Sequence, residues 1–565
     1  MRVKSALLLG VCIGALALTP GVSVAQSASD AEKVDQLQRQ MDQLQQQMRS
    51  LKGEIAQAKK RSADQDSLQN AYGADTASRK SPTMVKAAPM QYVHVTLGGF
   101  FAGETVWRQR NVTSDESDSF NNIPFPFQPT FNENEFHARA GGRPGSRCSP
   151  RVISTPSGSS PATQADFYGS GVSSNYNQSN SWAARIRQGY MTYDDANYGF
   201  HMLTGQAWSL LTQNTTGITP RKENIPLVIE HNYVVGFEFT RNYQARFVQD
   251  FGPMLSAGVS VEAPAELVFT GTGGIGSGGF INGAVVNFAN PGAQFLGGSN
   301  AFNNFTIDKL PDIVEKVAYD PGWAHFEVFG LQRFFTDNVF TCGAGPCAVP
   351  FVGAAGSASE KTTTGVGIGG SFLWPILPSF LDVSGMAMTG RGIGRYLAGN
   401  LSDVVVGPDG AMRPIKEVSA MGGVVLHPWT GLDIYAYGGF EQESANFYTG
   451  NTATGSPLAL AANAALGLGN PAVSNAGCTI TTAASFSGGA SGCGANTRVL
   501  ADVTVGAWQN LYNGDVGRFA TGIQWQMIDR KLFNGAALGG GLTAPHTTDN
   551  IIMTSIRWYP KYPTF

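Results

Sequence analysis

The chain has 565 residues, of which 14% are charged and 10% aromatic, with 70 glycines and a formal net charge of −3. That balance excludes a nucleic-acid surface built on excess positive charge. After the N-terminal segment there is no apolar run of about 18 residues or more, which excludes helical membrane spans, so in a lipid bilayer this chain would have to close a sheet.

Arg2 and Lys4 precede an apolar core from Ala6 to Leu18, and Ser23-Val24-Ala25 then puts small residues where a signal peptidase reads. Residues 1–25 are therefore expected to be a secretory signal. Cys12 lies inside the apolar core after Val11, which argues against a lipoprotein box. Residues 31–60 follow, where Val34, Leu37, Met41, Leu44, Met48, Leu51 and Ile55 step by three and four. That is the a/d seam of a coiled coil. The flanking positions are mostly Gln, with few charges to choose a partner, so self-association is the simplest outcome. A single amphipathic helix lying on its own domain is the alternative. Residues 61–90 are polar and read as a linker.

From residue 91 to 565 alternating segments come in pairs. In SWAARIRQGYMTYDDANYGFHMLTGQAWSL (Ser181–Leu210), Trp182, Ile186 and Tyr190 share one parity, and Arg185 and Arg187 the other. A strand sends successive side chains to opposite faces, so this hairpin has one apolar and one guanidinium-bearing face. Further tight joints fall at 251–253, 320–322, 374–378, 427–430 and 512–515. Long Gly/Ser/Asn-rich stretches separate the pairs. Strands are expected near 92–107, 133–140, 181–193, 198–209, 236–250, 254–262, 311–320, 322–333, 363–374, 379–390, 415–426, 430–443, 500–511, 515–528 and 549–558. Short turns alternating with long loops predict an all-β transmembrane barrel of about 16 antiparallel strands, preceded by a helical coiled coil.

One strand is missing from that count. Residues 140–164 are anomalous: GGRPGSRCSPRVISTPSGSSPATQ has no period of two and several prolines where a turn and a third strand belong. One GC-rich choice of synonymous codons, read in the neighbouring frame, gives ARLALLAAGDLDAVGQLTGY, a strand–turn–strand pattern. A frameshifted segment and a genuine irregular insertion are the two readings.

Of six cysteines, Cys342 and Cys347 share one long loop and Cys478 and Cys493 another, and two loop-stapling disulfides are expected in an oxidising compartment. No His lies near either pair in sequence, and neither a metal nor a cofactor is expected.

If aromatic and aliphatic positions face lipid, parity turns Arg139, Arg185, Arg187, Arg246, Arg518 and Arg557 inward, a basic track that would attract anions. Glu104, Glu238 and Glu327 share that interior and are candidate partners. The stretch Thr215–Pro226, with Arg221 and Lys222, either folds inward as a constriction or stays an exposed loop.

The coiled coil, the hairpin IRQGYMTYD…LTGQAWS, then RNYQARFVQDFG and GRGIGRY together resemble the DcaP-like trimeric porins, over most of the chain after the signal. The resemblance implies homotrimeric sixteen-stranded barrels in the outer membrane of a Gram-negative bacterium, with the coil in the periplasm. It also implies passage of small anionic solutes such as dicarboxylates, with Arg185, Arg187 and Arg246 matching basic lumen positions. A barrel enzyme acting on lipids would need a nucleophile beside a base. The seven His are scattered, none in a recognisable motif beside a Ser, so no catalytic residue is assigned. A structural or adhesive protein tethered through its coil is the remaining alternative.

Overall fold

The computed structural model describes residues 93–96, 99–112, 120–140, 149–152, 157–169, 183–195, 197–220, 222–230, 234–271, 274–275, 279–281, 284–287, 289–291, 304–341, 358–450, 464–481 and 492–561. The signal, the heptad seam, the linker, Arg221, Cys342 and Cys347 lie outside them.

Among the described residues sixteen strands, with a short added hairpin, form one antiparallel sheet. They are β1 (Phe101–Arg108), β2 (Glu135–Ala140), β3 (Ser157–Gly169), β4 (Ala183–Asp195), β5 (Phe200–Trp208), β6 (Arg241–Asp250), β7 (Leu255–Glu262) and β8 (Asp312–Tyr319). The second half is β9 (His325–Thr341), β10 (Ala358–Leu377), β11 (Leu381–Arg391), β12 (Lys416–Trp429), β13 (Leu432–Glu443), β14 (Thr497–Gly514), β15 (Gly517–Leu532) and β16 (His546–Tyr559). A short hairpin, Gly279–Ile281 with Ala284–Asn287, adds to the far end of β9.

From β3 to β16 each strand pairs with the next in sequence, and β16 pairs with β1 (Phe101↔Trp558 to Arg108↔Ile551), which pairs with β2. The ladder thus runs from β2 through the chain's last strand round to β3. Among the described residues no pairing joins β2 to β3, and that seam falls at residues 140–164. The strand missing from the expected count is present as β3, although the segment lacks a period of two and carries Pro161. Its neighbour Ser149–Val152 pairs instead with Val93–Thr96.

The sheet's polarity is the inverse of a water-soluble protein's. On β15, Ile523 and Trp525 are exposed, while Gln524 and Gln526 between them are buried. On β16 the exposed Ile552 and Ile556 alternate with buried Ser555 and Arg557. On β6, Tyr243 and Phe247 are exposed, and Gln244 and Arg246 are buried. One face therefore carries apolar side chains into the surroundings, and the other turns polar ones toward the interior. Aromatic groups gather at the tight-turn ends. Trp323 packs edge-on against Trp374 with ring centroids 5.7 Å apart, and Trp558 stacks on Phe519 at 5.9 Å.

The expected strand 236–250 begins only at Arg241. Gly236 has φ 86°, and a Cβ there would lie 2.3 Å from the Ala420 carbonyl oxygen. At that point the backbone is pressed against β12 and is not paired with β5. Glu238 consequently belongs to the connection between β5 and β6, not to a strand.

Candidate functional site

The connection Ser209–Thr240 crosses the interior of the sheet. Its first part is held on the β7–β10 wall. The Leu210 amide donates to Glu262 Oε1 at 2.9 Å, the Asn214 amide to Glu327 Oε1 at 3.0 Å and the Gly217 amide to Asp320 Oδ2 at 2.8 Å. Lys316 Nζ donates to the Thr212 carbonyl at 2.8 Å and pairs with Glu327 at 3.0 Å.

Its last part is held on the opposite wall. The Leu227 amide donates to the Tyr437 hydroxyl, the Ile229 amide to Gln524 Oε1 at 2.8 Å and the Gly236 amide to Glu441 Oε1 at 2.8 Å. Trp508 Nε1 and Arg557 Nη2 donate to the Leu227 and Ile229 carbonyls, each at 2.8 Å. A backbone outside a ladder must find partners for its amides and carbonyls, and here side chains of distant strands supply them.

Apolar packing fixes the same path. Val228, Ile229, Val234, Val235 and Phe237 sit in one buried cluster with Met421, Tyr435, Trp508 and Met553 of the strands. Leu210, Leu211 and Ile218 join a second cluster with Val248, Val314, Phe329 and Tyr396. Each fully buried Val, Leu, Ile or Phe contributes roughly 1.5–3 kcal/mol relative to exposure. The segment is bound at both ends as firmly as a core element.

A second inward segment joins it, between β11 and β12. Arg333 on β9, buried, donates to Asp312 at 3.2 Å, to Asp403 at 2.6 Å and to the Gly392 carbonyl at 2.7 Å, and also meets the Ala265 carbonyl. Tyr396 donates its hydroxyl to Asp312 at 2.9 Å, and the Gly399 amide donates to Glu441. The GRGIGRY motif thus forms a turn clamped to the β8–β9 wall.

The residues of the expected basic track have different surroundings. Arg246 is buried and donates to the Trp208 carbonyl at 2.6 Å and to Gln244. Arg557 is buried and paired with Glu104 at 2.7 Å. Arg187 is buried on β4. Arg518 lies by the tight turn after β14, donating to Asn510 at 3.1 Å with its guanidinium 4.0 Å from the Tyr559 ring centroid. Arg139 and Arg185 occupy register positions opposite Glu104 and Asp166. Lys222 is exposed on a small hairpin of the crossing segment, closed by the Asn214↔Glu223 bridge. Parity also turned Lys316 and Arg333 inward, since Val317 and Val328 are exposed; the sequence reading passed over both.

The long connections pack on one another at the other end of the strands. Phe269, Val405, Ile415, Leu468 and Phe533, from four connections, share one buried cluster. The expected disulfide Cys478–Cys493 is formed, with Cα atoms 4.5 Å apart, and Cys478 packs on Phe125 and Leu532.

A meandering antiparallel sheet with an apolar exterior and a polar interior bridged by its own chain has the build of an outer-membrane channel. The crystal structure of the outer membrane channel DcaP of Acinetobacter baumannii superposes with a TM-score of 0.51 at 15% identity, over 82% of this chain and 96% of that one. The chain has the fold of a DcaP-like porin. An anion-selective porin from Comamonas acidovorans aligns less closely, with a TM-score of 0.39 at 11% identity over 82% of this chain and 99% of that chain. No protein-family model and no curated protein matches the sequence.

Proposed function

We propose that the chain is an outer-membrane porin through which small hydrophilic solutes diffuse passively, anionic ones such as dicarboxylates being favoured. The observation that carries this reading is the crossing of the polar interior by Ser209–Thr240, tied to both walls. In an apolar-coated sheet such a segment divides the bore and sets its width. In this reading β2 and β3 pair to close a sixteen-stranded barrel, the tight turns face the periplasm, and the Val34–Ile55 seam holds a homotrimer beneath it.

Charge preference is assigned to particular cations. Arg557 is paired with Glu104, which offsets its charge, and Arg246 is buried against the Trp208 carbonyl. We assign anion preference to Arg185 and Arg187 on β4 and to Arg221 and Lys222 on the crossing segment, with Arg139 contributing near the seam.

Planar-bilayer recording tests the proposal. Stepwise conductance with a reversal potential favouring anions is expected, and Arg185→Ser with Arg187→Ser should shift that potential toward cations. A silent bilayer refutes the porin, and cation preference in the parent chain refutes the assignment of charge.

A further inference from the structure

At the long-loop end of the sheet, on its outer face, stand two cations that the channel does not use. Arg391 ends β11 and Lys416 begins β12; they are register partners across the ladder, and both are exposed. Their face is the apolar one. Along β11 the exposed Ala387 and Thr389 lie below Arg391, while Met386 and Met388 turn inward and are buried. On the flanking strands Val366 and Ile368 of β10 and Phe440 of β13 are exposed.

Like charges directly opposite on one sheet face repel, and a protein of few charges has no need of such a pair for solubility. Three cations at this end of the sheet are matched by acids: Lys309 with Glu360, and Lys361 and Arg413 with Asp409. Among the described residues Arg391 and Lys416 have no ion pair; the adjacent Glu417 is buried on the opposite face.

Height fixes where they stand. β11 has 11 residues from Leu381, beside the tight-turn aromatics, to Arg391. At ~3.3 Å per residue and a tilt of about 40°, Arg391 lies roughly 25 Å above the turn, the height of the apolar band of an outer-membrane barrel. The pair is therefore at the upper edge of the oily surface, where the headgroups of the outer leaflet would lie.

We propose that Arg391 and Lys416 form a docking site for the phosphate of a membrane-resident glycolipid, a phosphomonoester whose acyl chains lie along the apolar face below. This rests on the membrane-barrel reading above. A doubly ionised phosphate answers two adjacent cations, and Arg's planar fork suits its oxygens. The exposed Thr389 and the half-exposed Gln442 on the same face supply polar groups for the sugar.

The experiment uses the full chain in detergent, with Arg391→Gln and Lys416→Gln combined as the variant and Arg391→Lys as the conservative control. Retention of three probes is measured: bis-phosphorylated lipid A in mixed micelles, its dephosphorylated form, and inorganic phosphate. The parent should retain bis-phosphorylated lipid A at least tenfold better than the double variant does, with Arg391→Lys in between. The dephosphorylated lipid should not tell parent from variant, and inorganic phosphate alone should compete weakly. Equal retention by parent and double variant overturns the proposal, as does retention independent of the phosphates. Bilayer conductance of the same preparations separates the two readings. Channels without phosphate-dependent retention sink only the docking site, whereas retention without channels sinks the porin and leaves the site standing.

Discussion

Glu266, in the connection after β7, shows what a single buried acid does to such a protein. Burial, with Asp308 and Asp403 close by and Arg333 opposing them, pushes its carboxyl up to about 10. An acid whose folded value is raised takes up a proton on folding. Stability is then highest below the unfolded value of about 4.5 and falls as pH climbs toward the folded one. Glu266→Gln removes that dependence, and should stabilise the chain by about 2–4 kcal/mol at pH 8 while changing little at pH 4. Thermal unfolding of the detergent-solubilised protein at the two pH values measures this, and a difference independent of pH would contradict it. The Cys478–Cys493 bridge closes a separation of 15 residues, for which chain entropy gives about 3 kcal/mol. Replacing both by Ser should speed proteolysis within that connection and leave the strands intact, as limited digestion would reveal.

Elements differed in how far the sequence disclosed them. The strands were legible because apolar and polar residues alternate: Ile523, Trp525, Ile552 and Ile556 mark one face without any knowledge of partners. Lys316 and Arg333 were equally legible by parity. The route of Ser209–Thr240 was not, because nothing local encodes it. Its amides are received by Tyr437, Gln524 and Glu441, more than two hundred positions away in the chain. Gly236 gave a faint signal, a residue without a side chain where the backbone meets β12. Deleting Thr215–Pro226 should raise single-channel conductance by widening the bore; an unchanged conductance would place the narrowest point elsewhere. At the seam, the neighbouring-frame sequence in place of residues 140–164 should increase hydrogen-exchange protection across β2. If protection stays as it was, the native segment is a genuine insertion.

At the scale of the whole molecule, no apolar run long enough for a helical span follows the N-terminal segment, and the rhythm of short and long connections pointed to the architecture. Among the described residues the sheet's gap lies where the sequence lost its period, between β2 and β3. If the chain forms the proposed homotrimer, removing residues 31–60 should loosen or abolish it, read by native electrophoresis or light scattering; an unchanged trimer would assign assembly to contacts between barrels.

The anchoring of the crossing segment also dictates a chronology. The strands that receive its second part are β12 to β16, the last to be synthesised. Without them, half of that segment lacks the side chains that receive its amides and carbonyls. The second half of the segment can therefore seat only once that wall exists, and a chain ending before β13 should exchange the amides of Leu227, Ile229 and Gly236 freely while those of Leu210 and Asn214 are shielded.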